Sequence, residues 1–136
     1  MNPPSELVAF MREMNCWETE FFDQRKKSLA EGVEFPQLKE KYARKLEEIL
    51  DKYAVEDKYN YGRLIDLGCT KPATYDPATD ELEVLDGDEK TLTIQVQQTK
   101  GAETCSKMYL VSKDGVWKIK KKEVLNFYDK WRRSPL

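Results

Sequence analysis

Thr91-Leu92-Thr93-Ile94-Gln95-Val96-Gln97-Gln98 alternates polar and apolar side chains from Thr91 through Gln97. Successive side chains on a strand point to opposite faces. Leu92, Ile94 and Val96 therefore share one face, and Thr91, Thr93, Gln95 and Gln97 share the other. One face suits a core and the other suits water, as in an antiparallel sheet covered on one side only.

The pattern continues on both sides of this run. Gly101 ends the strand. Cys105 to Ser112 alternates again, with Met108 and Leu110 on one face and Tyr109 and Val111 on the other. Asp114-Gly115 is a hairpin dipeptide. Val116-Trp117-Lys118-Ile119-Lys120 follows, with Trp117 and Ile119 on the core side. Upstream, Leu82 to Leu85 forms a strand that runs into a turn at Asp86-Gly87. Residues 73–79 read as a short strand entering a turn at Asp76-Pro77. Residues 121–136 fit two readings. Val124, Phe127, Tyr128 and Trp131 lie on one helical face, while Val124 to Tyr128 equally extends a strand.

Before Tyr59 the period is that of a helix. Leu7, Phe10, Met11, Met14, Trp17, Phe21 and Phe22 recur at spacings of three and four. Ser5 is the expected N-cap and Gly32 the stop. Pro36 fits the first position of a second helix, whose stripe is Leu38, Tyr42, Leu46, Ile49, Leu50 and Tyr53. Helices first and then a meander of strands make an α+β fold, with the N-terminal helices packed on an antiparallel β-sheet. The stripe Leu92, Ile94, Val96, Met108, Leu110, Trp117 and Ile119 meets Phe10, Met14, Trp17 and Phe21. Gaps between elements are short, so residues 1–136 read as one domain.

The chain has 136 residues and no His. This excludes Ser-His-Asp and Cys-His catalysis, imidazole acid–base chemistry and His-ligated metals. Cys16, Cys69 and Cys105 form no CxxC pair and are odd in number, which fits three reduced, mostly buried thiols in a cytoplasmic protein. No signal region and no membrane-length apolar run is present. There is no Gly-rich phosphate loop, nucleophile elbow or EF-hand spacing. No cofactor or metal is expected.

The net charge of −2 conceals a pattern. Residues 73–89 hold seven acidic side chains (Asp76, Asp80, Glu81, Glu83, Asp86, Asp88, Glu89) and no basic one, a local net of −7. Residues 90–136 hold eleven Lys and Arg against four Asp and Glu, a local net of +7. The acidic segment is a candidate docking face for a basic partner. The wet sheet face, with Thr93, Gln95, Gln97, Tyr109 and Lys118, is a second. The cluster Lys118, Lys120, Lys121 and Lys122 is divided by strand alternation, and the pI of about 5.4 does not suit nucleic acid. Without His, catalysis would need Asp, Glu, Tyr or Cys. An apolar cone lined by Trp17, Phe21, Tyr59, Tyr61 and Tyr109 would raise the pKa of a carboxylate such as Asp66 for general-base work. The competing reading is that these aromatics simply fill the core.

Two helices followed by a curved antiparallel sheet, with the late hairpin Asp114-Gly115-Val116-Trp117-Lys118-Ile119, resemble the nuclear-transport-factor-2-like fold. The opening from Leu7 to Glu18 and the ending Tyr128-Asp129-Lys130-Trp131-Arg132-Arg133 resemble one branch of it. That branch is the immunity proteins of bacterial polymorphic toxin systems, including Rhs-associated ones. The resemblance covers nearly the whole chain and implies a cytoplasmic antidote that binds and blocks a cognate toxin domain, with no catalysis of its own. From the pI, the divided lysine cluster and the lack of a membrane-length apolar run, neither nucleic acid nor a membrane is expected as a partner. A monomer and a homodimer joined through the sheet face both remain open. Enzymes of this fold, isomerase-like and dehydratase-like, work with Asp, Tyr or His in the cone. Without His, only an Asp/Tyr version is left as the alternative reading, a small-molecule-binding or isomerase-like protein.

Overall fold

The computed structural model describes residues 2–32 and 35–136, and the backbone alone of Phe35. Helix α1 spans Ser5–Glu31 and α2 spans Phe35–Tyr53. A short 3-10 turn, Gly62–Leu64, lies in the segment before the sheet. The strands are β1 (Glu81–Gly87), β2 (Thr91–Gln97), β3 (Cys105–Lys113), β4 (Val116–Leu125) and β5 (Trp131–Ser134). They form one antiparallel sheet in chain order, as a meander of hairpins must.

The periodic residues find the core. Leu7, Phe10, Met11, Met14, Trp17 and Phe21 of α1 are buried with Tyr42, Leu46, Ile49, Leu50 and Tyr53 of α2. The inward sheet residues Leu92, Ile94, Val96, Met108, Leu110 and Ile119 join the same cluster, and Trp117 packs partly buried against it. Gly32 ends α1 in the left-handed region at φ 67°, its N–H donating to the Ser28 carbonyl.

Several expectations need correction. The thiols are not mostly buried, since Cys16 is exposed and Cys69 and Cys105 are half-buried. Ser5 is the first helical residue, and Pro4 occupies the cap with extended backbone. The Pro4 carbonyl already accepts from Leu7 and Val8 N–H, so proline's fixed φ starts the ladder without a side-chain cap. Pro36 lies one residue inside α2. Residues 73–79 form no strand. They wind into a turn in which Asp76 Oδ1 accepts from Ala78 N–H, while the Asp76 carbonyl accepts from Thr79 and Asp80. Asp86-Gly87 belongs to β1, and the reversal comes later. There Asp88 Oδ1 accepts from Lys90 N–H at 2.8 Å and Thr91 N–H at 2.9 Å. In the tail neither helix nor unbroken strand is formed: β4 continues to Leu125 and pairs with β5, while Asn126, Phe127 and Tyr128 lie in the turn between them.

Two bulges bend the sheet. One lies between Val84 and Asp86 of β1 and leaves Leu85 exposed. The other lies where the pairing jumps from Leu110–Ile119 to Tyr109–Lys121, passing over Lys120. A one-residue shift exchanges faces. Lys121 therefore joins the outer face, and Lys122 turns inward and is buried.

Beyond α2 the chain docks on β4. Ala54 forms a parallel bridge with Ile119, and Val55 N–H donates to the Ile119 carbonyl at 2.9 Å. Asn60 is fully buried, and its Nδ2 donates to the carbonyls of Val55 and Lys120, both at 2.9 Å.

Candidate functional site

The interior shows whether a cone is available. Trp17 and Phe21 are buried, with ring centroids 5.5 Å apart, and Phe21 stacks on Tyr42 at 4.8 Å. Trp17 Nε1 donates to the Tyr42 carbonyl at 2.8 Å. Those two side chains fill the space between the helices. The other predicted lining residues lie elsewhere. Tyr59 is on the surface, with the Arg133 guanidinium 4.9 Å from its ring centroid. The Tyr61 hydroxyl donates to Asp51 at 2.7 Å, and burial together with that carboxylate raises its pKa. Tyr109 projects from the opposite side of the sheet, and Asp66 is exposed. The structure does not bring these residues into one cavity.

The interior does contain charged groups, and they are committed to holding loops. Glu18 is fully buried and bonds Arg63 Nη2 at 2.8 Å. Its oxygens also accept from Thr70 N–H at 2.7 Å and Thr74 N–H at 2.9 Å. Burial pushes its pKa up. The charge of Arg63 and the bonds from Thr74, Arg63 and Thr70 outweigh that, leaving the carboxyl below its ordinary value. Lys122 Nζ donates to the Tyr75 hydroxyl at 3.0 Å. Among the described residues, no group of three or more His, Cys, Asp or Glu is placed to hold a metal ion.

The outer face of the sheet gathers most of the remaining candidates. Register places Glu81 beside Gln97 and Cys105, and Glu83 beside Gln95, Lys107 and Glu123. Asp86 lies beside Thr93, Tyr109 and Lys121 in the next row. The two faces suggested by the sequence are thus one surface. It is acidic along β1 and neutral along β2. Across β3 to β5 it becomes a lattice of cations and aromatic rings. Lys107 lies 4.2 Å from the Trp131 ring centroid and Lys121 lies 4.5 Å from that of Tyr109. The Tyr109 hydroxyl donates to Glu123 at 2.6 Å, and burial plus that carboxylate push its pKa up to about 12. The phenol is held neutral as a donor.

Not every predicted residue stands on this surface. Lys118 reaches away from it, donating to the Lys52 carbonyl at 2.7 Å and so closing the C-terminal end of α2. Asp76 and Asp80 fold onto each other, with Asp80 Oδ2 accepting from Asp76 N–H at 2.9 Å. Asp88 is spent on its hairpin, and the bonds from Lys90 and Thr91 lower its pKa. Glu89 is exposed at the tip of that hairpin. Sequence reasoning missed an open cleft of about 530 Å³, whose walls include Phe22 of α1, Pro72, Ala73 and Gly101. It is built by the loop that Glu18 holds, and nothing local in the sequence announces that loop.

Comparison with known proteins adds three findings. A family model described as NTF2 fold immunity protein matches residues 3–134. The chain is 30% identical over 126 residues to "Immunity protein RhsIA" of Dickeya dadantii (strain 3937), covering 92% of this chain and 89% of that relative. No solved structure matches the chain significantly.

Proposed function

This chain belongs to the NTF2-fold immunity proteins, and from that premise we propose that the outer face of its sheet is where the toxin is held. Its function is to neutralise a bacterial toxin. The family and the filled interior favour blockade by one-to-one binding over any catalytic step of its own. One observation carries the choice of surface. Register sets Glu81, Glu83 and Asp86 alongside Gln97, Gln95 and Thr93 on a face away from the buried cluster that packs against α1 and α2. Acidic side chains steer a basic partner into contact, and the flat amide-rich strip gives it hydrogen bonds.

The same face cannot both hold a toxin and be closed by a second copy, so the working form is a monomer. Residues 1–136 act as one unit in the cytoplasm. Among the described residues, no helix is long and apolar enough to cross a membrane.

The test is the combined variant Glu81→Lys, Glu83→Lys, Asp86→Lys, which leaves the structural carboxylates of Asp80 and Asp88 alone. Calorimetry against the toxin domain encoded beside this gene should show at least about tenfold weaker binding, with protection of cells reduced in step. Unchanged affinity and protection would move the docking face off the β1 side of the sheet.

A further inference from the structure

The turn between β4 and β5 carries Phe127 at 103% and Tyr128 at 82% relative exposure. Its backbone is pinned. Asn126 N–H donates to the Lys130 carbonyl at 2.9 Å and Asp129 N–H to the Asn126 carbonyl at 3.1 Å. Asn126 Oδ1 accepts from Tyr128 N–H at 2.9 Å and Lys130 N–H at 3.0 Å. Asp129 sits in the left-handed region at φ 57°. Reversing the chain does not require this apolar area. The neighbouring β3–β4 turn does the same with Asp114 and Gly115. Beside the aromatic pair lies a hollow of about 480 Å³ between Ala102, Cys105 and Leu125. Lys130 and Arg132 are exposed at the same end of the sheet.

We propose that this turn is a second anchor for the toxin domain, an inference that rests on the toxin-neutralising reading. Phe127 and Tyr128 enter an apolar cleft of the toxin whose rim is acidic and meets Lys130 and Arg132. Aromatic side chains ringed by polar groups are the usual carriers of interface energy. A turn already held by Asn126 loses little conformational freedom when it is gripped. Charge counts against a second copy as the occupant. The exposed turn carries Lys130 and Arg132 against Asp129 alone, so a two-fold contact through it would set one net positive patch against another. The anchor lies at the β5 edge, away from the acidic β1 edge, so the two contacts separate experimentally.

The experiment measures affinity for the toxin domain encoded beside this gene, inactivated in its own active site. Phe127→Ser and Tyr128→Ser should each weaken binding by roughly thirtyfold, the range of an interface hot spot. Phe127→Leu should retain most of the affinity. Lys130→Glu with Arg132→Glu should weaken binding most at low salt. Thermal melts should stay at the parental value, because neither ring is packed in the core. A double Ser variant that binds as tightly as the parent overturns the anchor. So does one that only removes a concentration-dependent dimer. If the parent itself does not bind, the toxin-neutralising reading falls and takes the anchor with it.

Discussion

Glu18 and Arg63 meet at 2.8 Å, with no surface of Glu18 left to water and the Arg63 guanidinium 5.1 Å from the Trp17 ring centroid. The pair joins the middle of α1 to the segment that leads into the sheet. Removing one partner leaves a buried charge unanswered, which costs about 3–5 kcal/mol. Arg63→Met should therefore unfold at markedly lower urea than the parent. A double variant with Glu18→Leu should recover part of the loss, since two apolar groups leave no charge behind. Equilibrium unfolding of the three proteins checks this. Equal midpoints would mean that the pair carries little.

The same carboxylate sets a pH dependence. Its folded pKa is below the ordinary 4.5, so the folded state holds its proton less tightly than the unfolded chain does. The stability it contributes is present above pH 4.5 and is lost as pH falls through the lower folded value. Urea midpoints measured from pH 7 down to pH 3 should decline more steeply in the parent than in Glu18→Gln.

The periodic parts of this fold are legible because a period is all they need. Leu92, Ile94 and Val96 reach the core as alternation requires, and so does the stripe on α1 apart from Phe22, which is half-buried at the wall of the cleft. Glu18 stood on that stripe, at the 4-3 spacing Leu7, Met11, Met14, Glu18, Phe21, but its charge disguised an inward position. The bulges at Leu85 and Lys120 have no compositional mark, since they are a choice of pairing between strands. Everything after Lys120 inherits that choice. Lys122 is buried for this reason, and β4 runs on until Phe127 and Tyr128 stand in the turn. Of the candidate site, the acidic count was readable. Which acids stay free was not, because Asp76, Asp80, Asp86 and Asp88 each accept from a local backbone N–H group.

If the β1 edge steers the toxin, the effect appears first in the association rate. Raising salt from about 0.01 M to 0.15 M shortens the screening length from about 30 Å to about 8 Å. The parent should then associate several-fold more slowly, with its dissociation rate little changed. The Glu81, Glu83, Asp86 reversal should lose that salt dependence. Stopped-flow mixing at two salt concentrations reads both, and equal slopes for parent and variant would remove the steering role.

Two glycines separate crowding from backbone preference. A Cβ on Gly87 would lie 2.6 Å from the Thr91 carbonyl oxygen and press against Leu92 Cδ2. A Cβ on Gly115 would meet nothing within 4 Å, although its φ of 79° still disfavours a side chain. Gly115→Ala should cost about 1–2 kcal/mol from backbone strain alone. Gly87→Ala adds overpacking, for a total of about 3 kcal/mol or more. Thermal melts that rank the two variants the other way would show that β1 gives way at its bulge and relieves the contact.

Asp80 should behave in the opposite sense to Glu18. Burial is the largest influence on it. Its Oδ1 is buried with no hydrogen-bond partner among the described residues, and the neighbouring charge of Asp76 adds to the cost. Its folded pKa is raised above the ordinary 3.8, so the folded state binds the proton more tightly than the unfolded chain. Ionisation therefore costs stability, the cost grows as pH rises through the folded value, and it persists at neutral pH. Asp80→Asn removes the charge and keeps an acceptor for Asp76 N–H, so its melting temperature at pH 7 should equal or exceed that of the parent. Its advantage should shrink as the pH is lowered through the raised folded value, where the parent's Asp80 takes up its proton. A lower melting temperature at pH 7 would mean that the charge is needed, with Lys122 as its counterpart across the inner face of the sheet.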